Sequence, residues 1–183
     1  MLDYIVYLSA AALLATGSYY RFQASKSNEP IDRRQEGWPL LIAIRLSGFG
    51  LLAALLFGAR SSSLSHPLLR QAGAVLFVLS TAWLIWMYRS LGRNLTDTVV
   101  TRRDASFVTH GPYRYVRNPM YSGLLAAGVS LGLFQGSWFV PAAAALTFTL
   151  LAIRTRTEER FLIARFGSAY QEYMNRVNRF FPG

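Results

Sequence analysis

Cysteine is absent from the 183 residues, and histidine occurs only at His66 and His110. Without cysteine there are no disulfides, thiolate nucleophiles or cysteine-based metal sites, although the compartment stays open. Two histidines far apart in the chain offer no metal-ligand spacing, so no metal is expected. Acidic side chains are also scarce, 9 against 19 basic ones, giving a net charge of +10, and lysine appears once, at Lys26. Such an excess can mark a nucleic-acid binder. Here, however, the arginines fall between apolar runs and do not form one face of a soluble domain, so no nucleic-acid partner is expected. They fit positive-inside topology and attraction to the anionic headgroups of membrane lipids. Fixed-period repeats and low-complexity tracts are missing too.

What the chain does contain is apolar sequence, 52% of all residues. Runs at about Leu2–Tyr20, Trp38–Ala59, Pro67–Tyr88, Pro119–Phe134 and Trp138–Ile153 approach or reach the roughly 20 residues a spanning helix needs. The first run lacks a basic leader, with Asp3 as its only early charge, and has no convincing small-x-small cleavage site, so it reads as a retained span. Arginines crowd the segments after the first and third runs and the tail, and are missing from Gln135–Ser137. This places the N-terminus outside and the C-terminus in the cytoplasm; short loops and an arginine-rich inner face suit a prokaryotic inner membrane. The fold class expected is all-α: a polytopic integral membrane protein with about five transmembrane helices. A helix over Pro119–Phe134 rises only about 24 Å, less than a hydrocarbon core of about 30 Å. With the very short turn after it, the last two spans make a tight hairpin and a recessed polar pocket. Beyond Ile153, Phe161, Leu162, Phe166, Tyr170 and Tyr173 recur at helical spacing among charged residues, which predicts a C-terminal cytoplasmic amphipathic helix, weakened at Gly167 and ended by Pro182. The whole length, 1–183, reads as one domain, with three spans in 1–88 and the chemistry in 89–183.

The most informative stretch is HGPYRYVRNPMYSG, His110–Gly123. Asn118-Pro119 before an apolar run predicts an N-cap with proline at the first helical position. A helix N-terminus presents free N–H groups and partial positive charge, and Arg117 adjoins it, so a carboxylate or phosphate can be held there. Gly111-Pro112 supplies a turn, and Tyr113, Tyr115 and Tyr121 offer aromatic faces. Interfacial anchoring is the plainer use of arginine and tyrosine, and capping the plainer use of His110. A second signal is Glu158-Glu159, directly after the last apolar run. It is either a pair of helix-surface ion pairs, Arg154 with Glu158 and Glu159 with a neighbouring arginine, or a receptor for an amino group or ribose hydroxyls. Arg45, inside the second run, either snorkels to the interface or meets substrate.

Together, GPYRYVRNPMYSG and EERFLIARFGSAYQEYMNRVNRFFP resemble the isoprenylcysteine carboxyl methyltransferase family and the related membrane phospholipid methyltransferases. That family shows a Gly-x-Tyr turn, Arg-His-Pro-x-Tyr-x-Gly, a Glu-Glu pair, Phe-Gly-x-x-Tyr-x-x-Tyr and Val-x-Arg-Phe-x-Pro. The match runs over His110–Pro182, and residues 1–109 match only as apolar spans. The resemblance implies an S-adenosylmethionine-dependent membrane methyltransferase. His110, Gly111, Tyr113, Arg117, Asn118, Pro119, Tyr121, Glu158 and Glu159 would enclose the cofactor. Arg117 and Glu159 would serve catalysis, and Arg117 would orient a lipophilic acceptor. Asn118 stands where the family often has histidine; it cannot titrate near neutrality, which puts in doubt any mechanism needing a base there.

Methyl transfer neutralises a sulfonium in an in-line displacement, so positioning in a water-poor site can supply much of the catalysis. A carboxylate acceptor is already ionised and an amine must first lose a proton, so an arginine-rich site favours carboxyl O-methylation of an isoprenylcysteine-like acid over N-methylation of a phospholipid or amine. The membrane sterol reductases, which bind a nicotinamide cofactor, have a similar C-terminal segment but an Arg-Asp pattern in place of Glu158-Glu159. A non-enzymatic lipid-binding protein is the third reading; it leaves the clustered prolines, glycines and acids unexplained.

Overall fold

The computed structural model describes residues 1–26, 42–44, 46, 66–92 and 107–183. The second apolar run lies mostly outside them, and Arg45 lies outside them entirely. The regular elements of the described residues are helices: α1 (Leu2–Ser25), α2 (Pro67–Leu91), a 3-10 turn (Gly111–Arg114), α3 (Pro119–Gln135), α4 (Phe139–Phe166) and α5 (Ser168–Arg176). Two of them, α2 and α4, are long and apolar enough to cross a membrane.

Proline opens α2 as it opens α3. His66 caps α2 by accepting the Leu68 N–H on its ring nitrogen, and Pro67 fills the first helical position. Along α2 the buried positions Gly73, Ala74, Phe77, Ser80, Thr81, Leu84 and Met87 recur at three- and four-residue spacing. They face α1 on one side and α3 on the other. Val6 of α1, Ala74, Phe77, Leu84 and Met87 of α2, and Ala127 and Phe134 of α3 form the shared core. Leu79, Val75, Leu8, Leu14, Leu146 and Ile153 point outward and are exposed. An apolar exterior of this extent is what lipid contact requires, because water would penalise it.

The two ends of the bundle differ. At one end Arg70 pairs with Asp3 at 2.6 Å and lies over the Phe134 ring, linking α1, α2 and α3. At the other, Tyr20 of α1 stacks on Tyr88 of α2. The tight hairpin is present: α3 ends at Gly136 in the left-handed conformation, and Ser137 N–H returns to the Gly132 carbonyl at 2.9 Å. Gly128 lets α3 approach Ala144 of α4 directly.

Helix α4 differs from expectation. It does not stop at Ile153 but carries on without interruption through Glu158 and Glu159 to Phe166, so the amphipathic segment is a continuation of the span. The break comes at Gly167, whose φ of 57° and ψ of −135° turn the chain into α5. This continuity gives the acidic pair a rigid mounting.

Candidate active site

The polar stretch begins with His110, exposed, ahead of the 3-10 turn Gly111–Arg114. The turn closes with Tyr115 and Val116 N–H groups donating to the Pro112 carbonyl. Gly111 has φ of 63°, and a Cβ there would strike the Ser90 side chain, so the turn sits hard against the end of α2. The chain then runs beside the C-terminal segment 177–181, here called the strap. Arg117 N–H donates to the Asn178 carbonyl at 2.8 Å, and Asn118 N–H to the Arg179 carbonyl at 3.0 Å. Pro119 starts α3, and its carbonyl accepts from the Trp83 indole of α2 at 2.9 Å.

Asn118 occupies the N-cap position, yet its side chain makes no cap bond. Its amide instead donates to the Arg179 carbonyl at 3.1 Å, so the expected cap is replaced by a second bond to the strap.

Successive residues of an α-helix point about 100° apart, so Glu158 and Glu159 face different neighbours. Glu159 is 5% exposed. Its Oε1 accepts from Arg117 Nε at 3.1 Å and Nη2 at 2.9 Å and from Arg179 Nε at 3.1 Å, while Oε2 accepts from Arg179 Nη2 at 2.6 Å. Arg117 Nη1 donates to the Met174 and Val177 carbonyls, both at 2.7 Å. These contacts engage four of the five N–H donors of the Arg117 guanidinium. The arginine expected to flank an anion at the α3 N-terminus thus holds an internal carboxylate, and the surface pair expected for Glu159 is a buried, long-range one. Hydrogen bonding to Glu159 raises the pKa of Arg179 and keeps it charged. The triad carries one net positive charge.

Glu158 is the more accessible carboxylate, its side chain 21% exposed against 7% for Glu159. It pairs with Arg154 one turn earlier at 3.2 Å, as the spacing predicts, and accepts the Tyr121 hydroxyl at 3.1 and 2.9 Å. Phe180 of the strap lies 6.4 Å from the Tyr121 ring and 5.1 Å from Phe148 of α4.

On the far side, α5 closes over the stretch. Phe107 contacts Phe166, Tyr170 and Tyr173, and the Tyr173 hydroxyl donates to the Tyr113 carbonyl at 2.6 Å. Burial pushes the Tyr173 phenol from 10.0 up to about 12, with Arg117 opposing, and burial raises Tyr113 and Tyr170 as well. A raised folded-state pKa means the unfolded chain loses its proton first, so this contribution is whole below pH 10.0 and disappears as pH climbs through about 12. Resistance to thermal unfolding should therefore weaken across that window, and Tyr173→Phe should reduce the slope.

Two direct pairs thus join sequence-distant residues, Arg117 with Glu159 and Tyr121 with Glu158, while Asn118 and Pro119 share the turn between them and Tyr113 is tied in through Tyr173. His110 and Gly111 stand at the rim. Sequence reasoning missed Arg179 and Trp83. Arg179 does lie within Val-x-Arg-Phe-x-Pro, but its charge looked like one more basic residue in the tail; Trp83 lay inside an apolar run with nothing to separate it from an ordinary interfacial aromatic.

A model of the phospholipid methyltransferase family matches residues 69–169, from the first turns of α2 to the start of α5. The chain belongs to this family. The matched interval contains the 3-10 turn, the α3–α4 hairpin and both glutamates, and it ends before the strap that supplies Arg179. Among curated proteins, the chain is 33% identical over 135 residues to the cobalt-zinc-cadmium resistance protein CzcN of Cupriavidus metallidurans, covering 72% of this chain and 58% of that protein. It is 30% identical over 93 residues to the protein-S-isoprenylcysteine O-methyltransferase of Schizosaccharomyces pombe, covering 47% and 38%. A methanethiol S-methyltransferase 2 from Bradyrhizobium diazoefficiens is 27% identical over 183 residues, covering 90% and 70%. The chain therefore spans 58% of the first relative and 38% of the second.

Proposed function

We propose that this chain is an S-adenosylmethionine-dependent membrane methyltransferase whose acceptor is a lipophilic acid, with carboxyl O-methylation of an isoprenylcysteine-like group as the reaction. The observation that carries the reading is the meeting of the 113–121 stretch with Glu158 and Glu159 inside a chain of the phospholipid methyltransferase family. The donor set suits the cofactor: an accessible carboxylate beside a phenol for an amino group or ribose hydroxyls, aromatic faces for a base, and a net positive triad for a carboxylate. When bound, S-adenosylmethionine supplies a methyl group activated by its sulfonium.

In this reading Glu158 and Tyr121 hold the cofactor, with His110, Gly111, Tyr113, Asn118 and Pro119 around it. Arg117 and Glu159 fix the geometry of the turn, and the triad they form with Arg179 gives the site its positive field. A carboxylate acceptor is favoured by that field and needs no base. Small thiols are the second reading, supported by the likeness over 90% of this chain to a methanethiol S-methyltransferase. The five-span topology, with N-terminus outside and site cytoplasmic in a prokaryotic inner membrane, belongs to the same proposal, as does the division into spans 1–88 and a cofactor-binding core 89–183. It would let an apolar acceptor enter from the lipid while cofactor arrives from the cytoplasm.

The test is calorimetric titration of the detergent-purified full chain with S-adenosylhomocysteine, with NADPH as control. Wild type should bind S-adenosylhomocysteine, and Glu158→Gln should bind about tenfold more weakly, the equivalent of about 1.4 kcal/mol. A folded wild type that ignores S-adenosylhomocysteine, or takes NADPH in its place, ends the methyltransferase reading.

A further inference from the structure

We infer that Arg179 is a positioning residue, through which the C-terminal strap sets the shape of the cofactor site; this rests on the methyltransferase reading above. Three observations carry it. The Arg179 guanidinium grips Glu159 through both carboxylate oxygens, Nε to Oε1 at 3.1 Å and Nη2 to Oε2 at 2.6 Å. The carbonyl of the same residue accepts two bonds from Asn118, at 3.0 Å from the backbone and 3.1 Å from the side chain. The residues before and after it extend the contact: Asn178 accepts the Arg117 N–H, and Phe180 packs on Tyr121 and Phe148.

One residue therefore touches both halves of the site, the turn that opens α3 and the acidic pair on α4. Without it, Glu159 keeps Arg117 but loses every donor to Oε2 that the structure gives it, and a carboxylate that is 5% exposed has little water to replace them. The cheapest response is for Glu159 to rotate toward solvent and draw the Arg117 guanidinium with it, which shifts Asn118 and Tyr121. A bidentate fork is needed to reach both oxygens, so lysine is a poor substitute. Both side-chain bonds that the structure gives Arg179 go to Glu159, and it acts through Glu159 and Asn118.

The experiment uses the full chain in detergent and has two readouts. Amide hydrogen exchange without ligand reports the latch directly: in Arg179→Ala the Arg117 and Asn118 amides, which donate to the strap, should lose at least tenfold protection while amides in the middle of α2 keep theirs. Titration with S-adenosylhomocysteine should show binding weakened at least tenfold in Arg179→Ala and in Arg179→Lys. Adding Glu159→Gln to Arg179→Ala should cost less than the two single losses combined, because the second change removes the charge that the first left poorly paired. Unchanged protection at Arg117 and Asn118, wild-type affinity in Arg179→Ala, or simple additivity in the double variant each overturn the role of Arg179. A folded wild type that binds no S-adenosylhomocysteine instead fells the methyltransferase reading and the claim that the strap serves a cofactor.

Discussion

Glu159→Ala should be among the most damaging single substitutions in this chain, costing on the order of 3–5 kcal/mol. The carboxylate lies between Arg117, whose side chain is 8% exposed, and Arg179, whose side chain is 38% exposed. Truncation leaves Arg117 buried with its charge uncompensated, although the Met174 and Val177 carbonyls still accept from Nη1. Arg179 can turn to water, so most of the loss falls on Arg117. Unfolding in detergent should show a midpoint lowered by on the order of 10 °C, and cofactor-analogue binding should vanish with it. Glu159→Gln should cost less, because an amide oxygen still accepts from Arg117, although the Arg117 charge stays uncompensated. The decisive variant is Arg117→Met with Glu159→Met. Replacing both buried charges with apolar groups of similar bulk can be close to neutral for stability. If the pair serves function more than folding, that double variant should melt near wild type and bind no S-adenosylhomocysteine. Near-wild-type melting of Glu159→Ala alone would contradict the buried geometry.

That pair also shows how far the sequence carries. Arg117 and Glu159 were singled out from the chemistry of their neighbourhoods and a family pattern, and each sits in a local signal: a proline-opened helix for one, an acidic pair after an apolar run for the other. The four apolar runs within the described residues were legible because length and hydropathy are local properties, and so was the hairpin, because the very short turn over Gln135–Ser137 marks it. The last span and the helix after it were divided at Ile153 for a physical reason. A change from apolar to charged composition marks where a helix changes environment, and it does not mark where the backbone stops being helical; only Gly167 does that. The partners of Glu159 were illegible because they depend on tertiary geometry. Spacing offered Glu159 a neighbouring arginine on the same helix, and the actual partners are 42 and 20 positions away. The Asn118 side chain went astray for the same reason, since a strap carbonyl arrived within reach and displaced a local cap.

Gly73 carries the second large effect, and it follows from backbone meeting backbone. A Cβ built on Gly73 in α2 would lie 2.5 Å from the Phe134 nitrogen and 2.7 Å from the Ser130 carbonyl oxygen of α3. Neither atom belongs to a side chain that can change rotamer, so even Gly73→Ala must push two helices apart. Overpacking of this kind costs about 1–3 kcal/mol, and Gly73→Val should lie at or beyond the upper end. Alanine would otherwise favour the helix over glycine by about 1 kcal/mol, so the sign of the outcome reports the contact and not the propensity. Gly123 on α3 makes a useful contrast. A Cβ there meets the Leu84 side chain at 2.6 Å and Trp83 at 2.9 Å, and those groups can give way. Gly123→Ala should therefore cost less in unfolding than Gly73→Ala while disturbing the site more, because Trp83 holds the Pro119 carbonyl at the first turn of α3. Measuring unfolding and S-adenosylhomocysteine affinity on both variants separates the two roles. The reverse order, with Gly73→Ala tolerated and Gly123→Ala unfolding the chain, would mean that α2 and α3 do not pack in the register described.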